Sequence, residues 1–303
     1  MTVQKLISSS LSNLGYGGAT RENPFVDIAG LVATTTAFNL TSLALAATEA
    51  TWTAGVKAKT VFPFPKIWDV EDVSEEIKVA TSTSGKNVKR TANRVIKKRF
   101  MFDATMDVNK ALKSFDNAAV RVFMFDSSNN IKFYLNSAVP TGFSVSSIVF
   151  EGQKDAPQDG SKPSLASVLI AFKDSEEWDQ YGHYVCPTWR IADVEPLTDV
   201  YIEQVGTFAA TGGTVRAYSY SNYTSAGAIN KIPITGLVKA DFIALTAAGA
   251  SQTSAITGSV TDNADGTYTM ICTGFATGTI DLTTPAALSN GYFDGVAGTI
   301  TVT

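Results

Sequence analysis

Val120-Arg121-Val122-Phe123-Met124-Phe125 runs into Asp126-Ser127-Ser128-Asn129-Asn130, and the chain returns as Ile131-Lys132-Phe133-Tyr134-Leu135. Two β-favouring runs separated by Asp, Ser and Asn read as a hairpin, because these short polar side chains close turns on their own backbone. Working outward, Gly142 to Glu151 and Ser164 to Lys173 read as a further strand pair around a polar loop at Lys154 to Lys162. Upstream, Ile77 to Thr83 alternates and Ser84-Gly85-Lys86 can turn, and Val95 to Met106 is again β-favouring. Asp107 or Asn109 is placed to cap a short helix carrying Ala111, Leu112 and Phe115. Asp174-Ser175-Glu176-Glu177-Trp178 starts a helical turn capped by Asp174 or Ser175.

From about Thr207 onward charge nearly vanishes, and the only basic residues are Arg216, Lys231 and Lys239. Short alternating runs recur there at Thr214 to Tyr220, Ala255 to Thr261, Thr267 to Thr273, Thr277 to Leu282 and Thr299 to Thr303. That rhythm is the pattern of an immunoglobulin-like sandwich without the cysteine pair and tryptophan of antibody domains. Three zones follow: an N-terminal segment over 1–60 that can act as an arm, a β domain over 61–206, and the immunoglobulin-like sandwich over 207–303. The fold class is mainly β, with a β-sandwich or half-barrel core, a short helix, and the C-terminal sandwich.

The composition bears on chemistry by what is scarce. In 303 residues there is one histidine, His183, and two cysteines, Cys186 and Cys272. Proton shuttles, metal ligands and activated nucleophiles are thus few, which speaks against an enzyme. No cofactor or metal is expected. His183, with Asp179 and Cys186 nearby, lacks the ligand spacing of a structural zinc site. Both cysteines read as small buried hydrophobes. Gly15-Tyr16-Gly17-Gly18 is not followed by the Lys-Ser or Lys-Thr of a phosphate loop, and reads as a segment that orders on a partner. Asp126 to Asn130 and Asp262 to Asp265 read as turns rather than calcium loops. Met1 to Ser10 does not read as a secretory signal, and threonines interrupt the apolar stretch Ile28 to Ala47 too often for a membrane helix. Charged residues make up 17% of the chain and the formal net charge is −4. Low charge with abundant Thr, Ser and Ala suits a surface buried against neighbouring copies, or a secreted, low-charge β domain, and the negative sign argues against nucleic-acid binding as the main role.

Two clusters of opposite sign stand out: Asp69, Glu71, Asp72, Glu75 and Glu76, and Lys86, Lys89, Arg90, Arg94, Lys97, Lys98 and Arg99. The basic run can contact phosphates, pair with the acidic cluster within the chain or on another copy, or guard an edge strand. Pairing between subunits is the favoured reading, since complementary patches set register between copies. A glycosidase-type acid pair within 69–76 is the weaker reading, because close-spaced carboxylates are more often a solvated face.

The order of features over residues 60 to 200 resembles tail tube proteins of tailed phages. The features are the charged strand–loop–strand Ile77 to Met106, the helix Val108 to Phe115 and the Val120 to Leu135 hairpin. Pro140-Thr141-Gly142-Phe143 to Glu151 and Ser167-Val168-Leu169-Ile170-Ala171-Phe172 follow, with Asp174 to Trp178. Asp159-Gly160-Ser161 and Asp179-Gln180-Tyr181-Gly182 look like the version in Bacteroidota-infecting viruses. The resemblance implies a virion protein, assembled in the host cytoplasm, that forms stacked, hexameric rings around a DNA-conducting lumen. Its partners would be further copies, other virion tail proteins and DNA in transit without specific binding, with no membrane. The alternatives are a capsid or head-decoration protein, and a receptor-binding adhesin using the C-terminal sandwich, where Tyr218, Tyr220 and Tyr223 cluster.

Overall fold

The computed structural model describes residues 3–5, 27–81, 83, 88–136, 139–155, 163–179, 181–223 and 229–303. The chain divides into two compact units, Met1–Val194 and Glu195–Thr303.

The first unit runs β1 (Val3–Lys5), β2 (Ile28–Thr34), α1 (Leu43–Ala46), α2 (Glu49–Lys57), β3 (Val61–Pro63), β4 (Ile67–Asp72), β5 (Lys78–Thr81), β6 (Val88–Ala92) and β7 (Lys97–Asp103). It continues with α3 (Met106–Lys113), β8 (Arg121–Asp126), β9 (Ile131–Asn136), β10 (Val139–Thr141), β11 (Phe143–Lys154), β12 (Leu165–Phe172), α4 (Glu176–Asp179) and β13 (Gly182–Val185). All these strands except β5 and β6 join one sheet, ordered β1-β13-β9-β8-β11-β12-β7-β4, with β2 also on β8, β3 on β2, and β10 on β9. One apolar cluster collects Leu31 and Ala33 of β2, Val122 and Met124 of β8, Phe100 and Phe102 of β7, and Val168 and Ile170 of β12. The strands from β2 and β8 round through β12 and β7 share that core, and β2 approaches β4, so this part of the sheet curls around it as a half-barrel.

The quoted hairpin lies at the centre. β8 is buried along nearly its whole length, which is why Val-Phe-Met-Phe shows no polar alternation. Its even residues enter the core. Its odd residues, Phe123 and Phe125, meet Trp52 of α2 at 5.0 and 5.6 Å between ring centroids, and Phe125 meets Trp189 at 5.9 Å. In the turn, the buried Asp126 carboxylate accepts from the Ser128 and Asn130 amides at 3.0 and 2.9 Å. Asn129 takes the left-handed backbone (φ 66) and its Nδ2 donates to the Pro187 and Trp189 carbonyls.

Two expectations change in this unit. Residues 28–57 are no arm: Leu31, Val32 and Ala33 are fully buried, as is Trp52, because β2 pairs on both sides, with β8 and β3, and α2 packs Trp52 on Phe123 and Phe125 of β8. The stretch Ile28 to Ala47 breaks into β2 and α1, and among the described residues no helix is long and apolar enough to cross a membrane. Helix α3 starts earlier than read: Thr105, not Asp107 or Asn109, is the cap, its Oγ1 accepting from the Val108 amide at 3.2 Å. The cap before α4 is as read, with Asp174 Oδ1 accepting from the Glu176 amide at 2.8 Å.

The second unit comprises β14 (Thr198–Ala209), β15 (Gly212–Tyr223), β16 (Ile229–Pro233), β17 (Phe242–Thr246), β18 (Val260–Asp262), β19 (Thr267–Ile271), β20 (Gly278–Leu282), β21 (Phe293–Val296) and β22 (Gly298–Ile300). One sheet is ordered β18-β19-β15-β14-β21, with β16 on β15, and the other is β17-β20-β22. Reading the strands as A to G in chain order, this is the four-plus-three arrangement of an immunoglobulin constant-type sandwich, with β16 and β21 added. Where antibody domains bridge the sheets by a disulfide, Val215 and Ala217 of β15 and Ile280 of β20 fill the core. The buried Tyr268 hydroxyl donates to the Ile234 carbonyl at 2.8 Å and accepts from the Leu237 amide; desolvation pushes its pKa up to about 12. The division before Glu195 lies upstream of the boundary expected at 207, because the loss of charge there happens in the middle of β14 rather than at a linker.

Candidate assembly surface

The segment holding both charge clusters folds back on itself as a β-ribbon. At its root, β4 and β7 pair antiparallel, with Glu71 opposite Arg99 and Asp72 opposite Lys98. Further out an isolated bridge joins Glu75 and Val95, and β5 pairs with β6 alone. The opposite charges are therefore cross-strand neighbours, placed within bonding reach by register. Lys98 Nζ lies 3.1 Å from Asp72 Oδ2, Lys97 Nζ 2.5 Å from Glu75 Oε1, and Arg99 Nη1 2.5 Å from Glu71 Oε2. Arg99 also forks onto Glu151 of β11, with Nε at 2.6 Å and Nη2 at 3.1 Å, so one guanidinium ties three strands. Arg94 reaches Asp179 of α4 at 2.9 Å, and the Lys98 ammonium lies 5.5 Å from the Trp178 ring centroid.

These contacts set the protonation of the cluster. Burial alone raises the Asp72 carboxyl, but hydrogen bonds from the Ser74 hydroxyl and amide, and then the Lys98 charge, bring it down to about 2. Lys97 lowers Glu75 through its hydrogen bond and its charge, and Arg99 lowers Glu151 in the same way. Asp69 and Asp72 also cover the strand edge: Asp69 Oδ1 accepts from the Val70 amide at 2.8 Å and Asp72 Oδ1 from the Ser74 amide at 3.0 Å. Glu76 is exposed. Lys89 and Arg90 lie on β6, opposite Ala80 and Val79, and Lys86 lies outside the described residues. Glu71, Asp72 and Glu75 thus meet Arg99, Lys98 and Lys97 within one chain, the within-chain pairing rather than the pairing between subunits that the sequence favoured.

What the sequence reading missed is apolar. Ile77, Val79 and Val95 on the ribbon are 47%, 55% and 38% exposed, and Trp68, at the bulge of β4, is 54% exposed. The available signal was Ile77 and Val79 alternating with the charged Glu76 and Lys78.

The remaining candidates have structural partners. Asp262 Oδ1 and Oδ2 accept from the Ala264 and Gly236 amides, and Asp265 Oδ1 accepts from the Thr267 amide and hydroxyl, which is turn chemistry. Tyr218 is buried rather than presented in a loop: it stacks on Tyr201 and lies under the Lys231 ammonium, which Glu203 holds together with Arg216. The side chain of Tyr223 lies outside the described residues. Cys272 is buried as read, whereas Cys186 is exposed, because its side chain faces out between the buried Val185 and Pro187. His183 sits in β13 opposite Phe133 of β9. Among the described residues no group of three or more His, Cys, Asp or Glu side chains could hold a metal ion. No family model matches the chain, and no curated protein matches it.

Proposed function

We propose that the chain is a non-enzymatic virion structural protein, a tail tube subunit that self-assembles into stacked, six-fold rings. The observation that carries this reading is the ribbon β5–β6, paired with no further strand among the described residues and presenting Ile77 and Val79 to solvent. Exposed apolar residues on a polar ribbon are a contact waiting for a partner. Arg94, Lys97, Lys98 and Arg99 are engaged within the chain, which leaves the exposed apolar side chains of the ribbon for contact between copies. The other partners are virion tail proteins, and DNA passes through without specific binding. The setting is the virion.

Electron microscopy of the purified chain across a concentration series tests the reading, beside the double variant Ile77→Asp, Val79→Asp. Tubes or stacked rings from the parent chain, absent in a variant with unchanged circular dichroism, are the expected result. Dispersed particles of the parent chain at every concentration, together with saccharide binding by Glu195–Thr303, would favour the adhesin instead.

A further inference from the structure

The ribbon is basic in an acidic chain. Its strands β5 and β6 carry Lys78, Lys89 and Arg90 and no carboxylate, whereas the formal net charge of the whole sequence is −4. It is also apolar at its surface, with Ile77 and Val79 about half exposed, and Arg90 stands opposite Val79 in the register. A ribbon of two short strands is marginal in water alone and becomes firm when it packs against something. The surface that suits it is acidic and partly apolar.

The outward face of the half-barrel sheet has both properties. In β7 and β12, Phe100, Phe102, Val168 and Ile170 enter the core, so the residues between them face away from it. Register lines up Glu71, Arg99, Leu169 and Val149 side by side across β4, β7, β12 and β11. Val149 is 42% exposed, in the middle of a sheet rather than at its margin. Around it Glu71, Asp103 and Glu151 are exposed, and the single guanidinium among them, Arg99, is held between Glu71 and Glu151. Lys97, at the end of the face, is held by Glu75. The ribbon cannot lie on this face in its own chain. β5 follows on from β4 and β6 leads into β7, with the Glu75–Val95 bridge between, so the ribbon runs outward from the strands that make the face.

We propose that the outward sheet face around Val149 is the seat for the ribbon β5–β6 of a second copy of this chain. Ile77 and Val79 lie on Val149 and Leu169, and the basic charge of the ribbon is set against the carboxylates beside them. The contact is heterologous: each copy gives its ribbon at one surface and receives another at a different one, so it repeats from copy to copy and closes a ring where the rotation allows. This deepens the assembly proposed above, and rests on that reading for bringing copies together.

Two full-length variants in a Cys186→Ser background test it: Val79→Cys carrying an affinity tag, and untagged Val149→Cys. They are mixed, oxidised mildly, and their remaining thiols are blocked before a non-reducing gel. A tagged–untagged covalent dimer is expected, in a yield that falls as salt is raised. The double variant Val79→Cys, Val149→Cys should give a ladder of multimers, because each copy then carries both halves of the contact. Dimers of Val79→Cys with itself and no mixed dimer would mean that ribbon meets ribbon, and would overturn the proposal. Absence of any crosslink across the concentration series would overturn it too. Tubes seen in the microscope without mixed dimers would sink the seat and leave the tube reading standing. Mixed dimers and ladders without tubes would do the reverse.

Discussion

Arg99 stands between Glu71 and Glu151, and Lys97 and Lys98 beside it hold Glu75 and Asp72. Each of these carboxylates with a resolved shift, Asp72, Glu75 and Glu151, is lowered from its ordinary value. A carboxyl that is more acidic folded than unfolded adds stability above its unfolded pKa and loses that contribution as pH falls through the folded value. For Asp72 the loss spans 3.8 down to about 2. The urea midpoint should therefore hold steady from pH 7 to 5 and fall steeply between pH 4 and 2, and Asp72→Asn should flatten part of that fall. The substitution Lys97→Ala, Lys98→Ala, Arg99→Ala should lower the unfolding midpoint of the single chain, because these side chains pair within it. The cysteines give a second check at this scale. Burial raises the Cys272 thiol, while Cys186 is exposed. A thiol reagent should label one site in the native protein and both after denaturation.

At the scale of the element, the ribbon and its root were partly legible. The two clusters announced a charge pairing, but pairing within a chain and between chains look identical in sequence, since both need only opposite signs. Register decided between them: β4 and β7 run antiparallel with Asp72 opposite Lys98, which puts the ammonium and carboxylate at bonding distance without a second copy. The helix caps show the same limit. Thr105, Asp107 and Asn109 are all competent caps by residue type, and only the backbone at Thr105, extended at φ −125 and ψ 163, selects one. The β4 margin yields a prediction. With Asp69→Ala and Asp72→Ala the Val70 and Ser74 amides lose their covers, and light scattering should show more association than the parent chain gives at equal concentration. Unchanged scattering would mean that the carboxylates do not guard that edge.

At the scale of the whole molecule, each unit carries its own core: the half-barrel around Phe100, Phe102 and Phe143, and the sandwich around Val215, Phe242 and Ile280. The chain Glu195–Thr303 should accordingly fold alone and unfold in one cooperative transition. In it, Tyr268→Phe should cost about 1–2 kcal/mol, because the Ile234 carbonyl and Leu237 amide lose their buried partner. Local patterns determined much: the hairpin at Val120 to Leu135, the strand pair that became β11 and β12, the mainly β class, and a low-charge immunoglobulin-like sandwich at the end of the chain. These follow from turn chemistry and alternation, which act over a few residues and leave their mark in order along the chain. Tertiary structure alone decided that residues 28–57 belong to the half-barrel, that the second unit begins before β14, that the charge clusters meet within one chain, and that the ribbon's apolar residues remain uncovered. The physical reason is common to all four. Burial and pairing depend on which distant segment arrives alongside, and residues such as Leu31, Trp52, Lys98 and Val79 carry the same side chain whichever neighbour they receive.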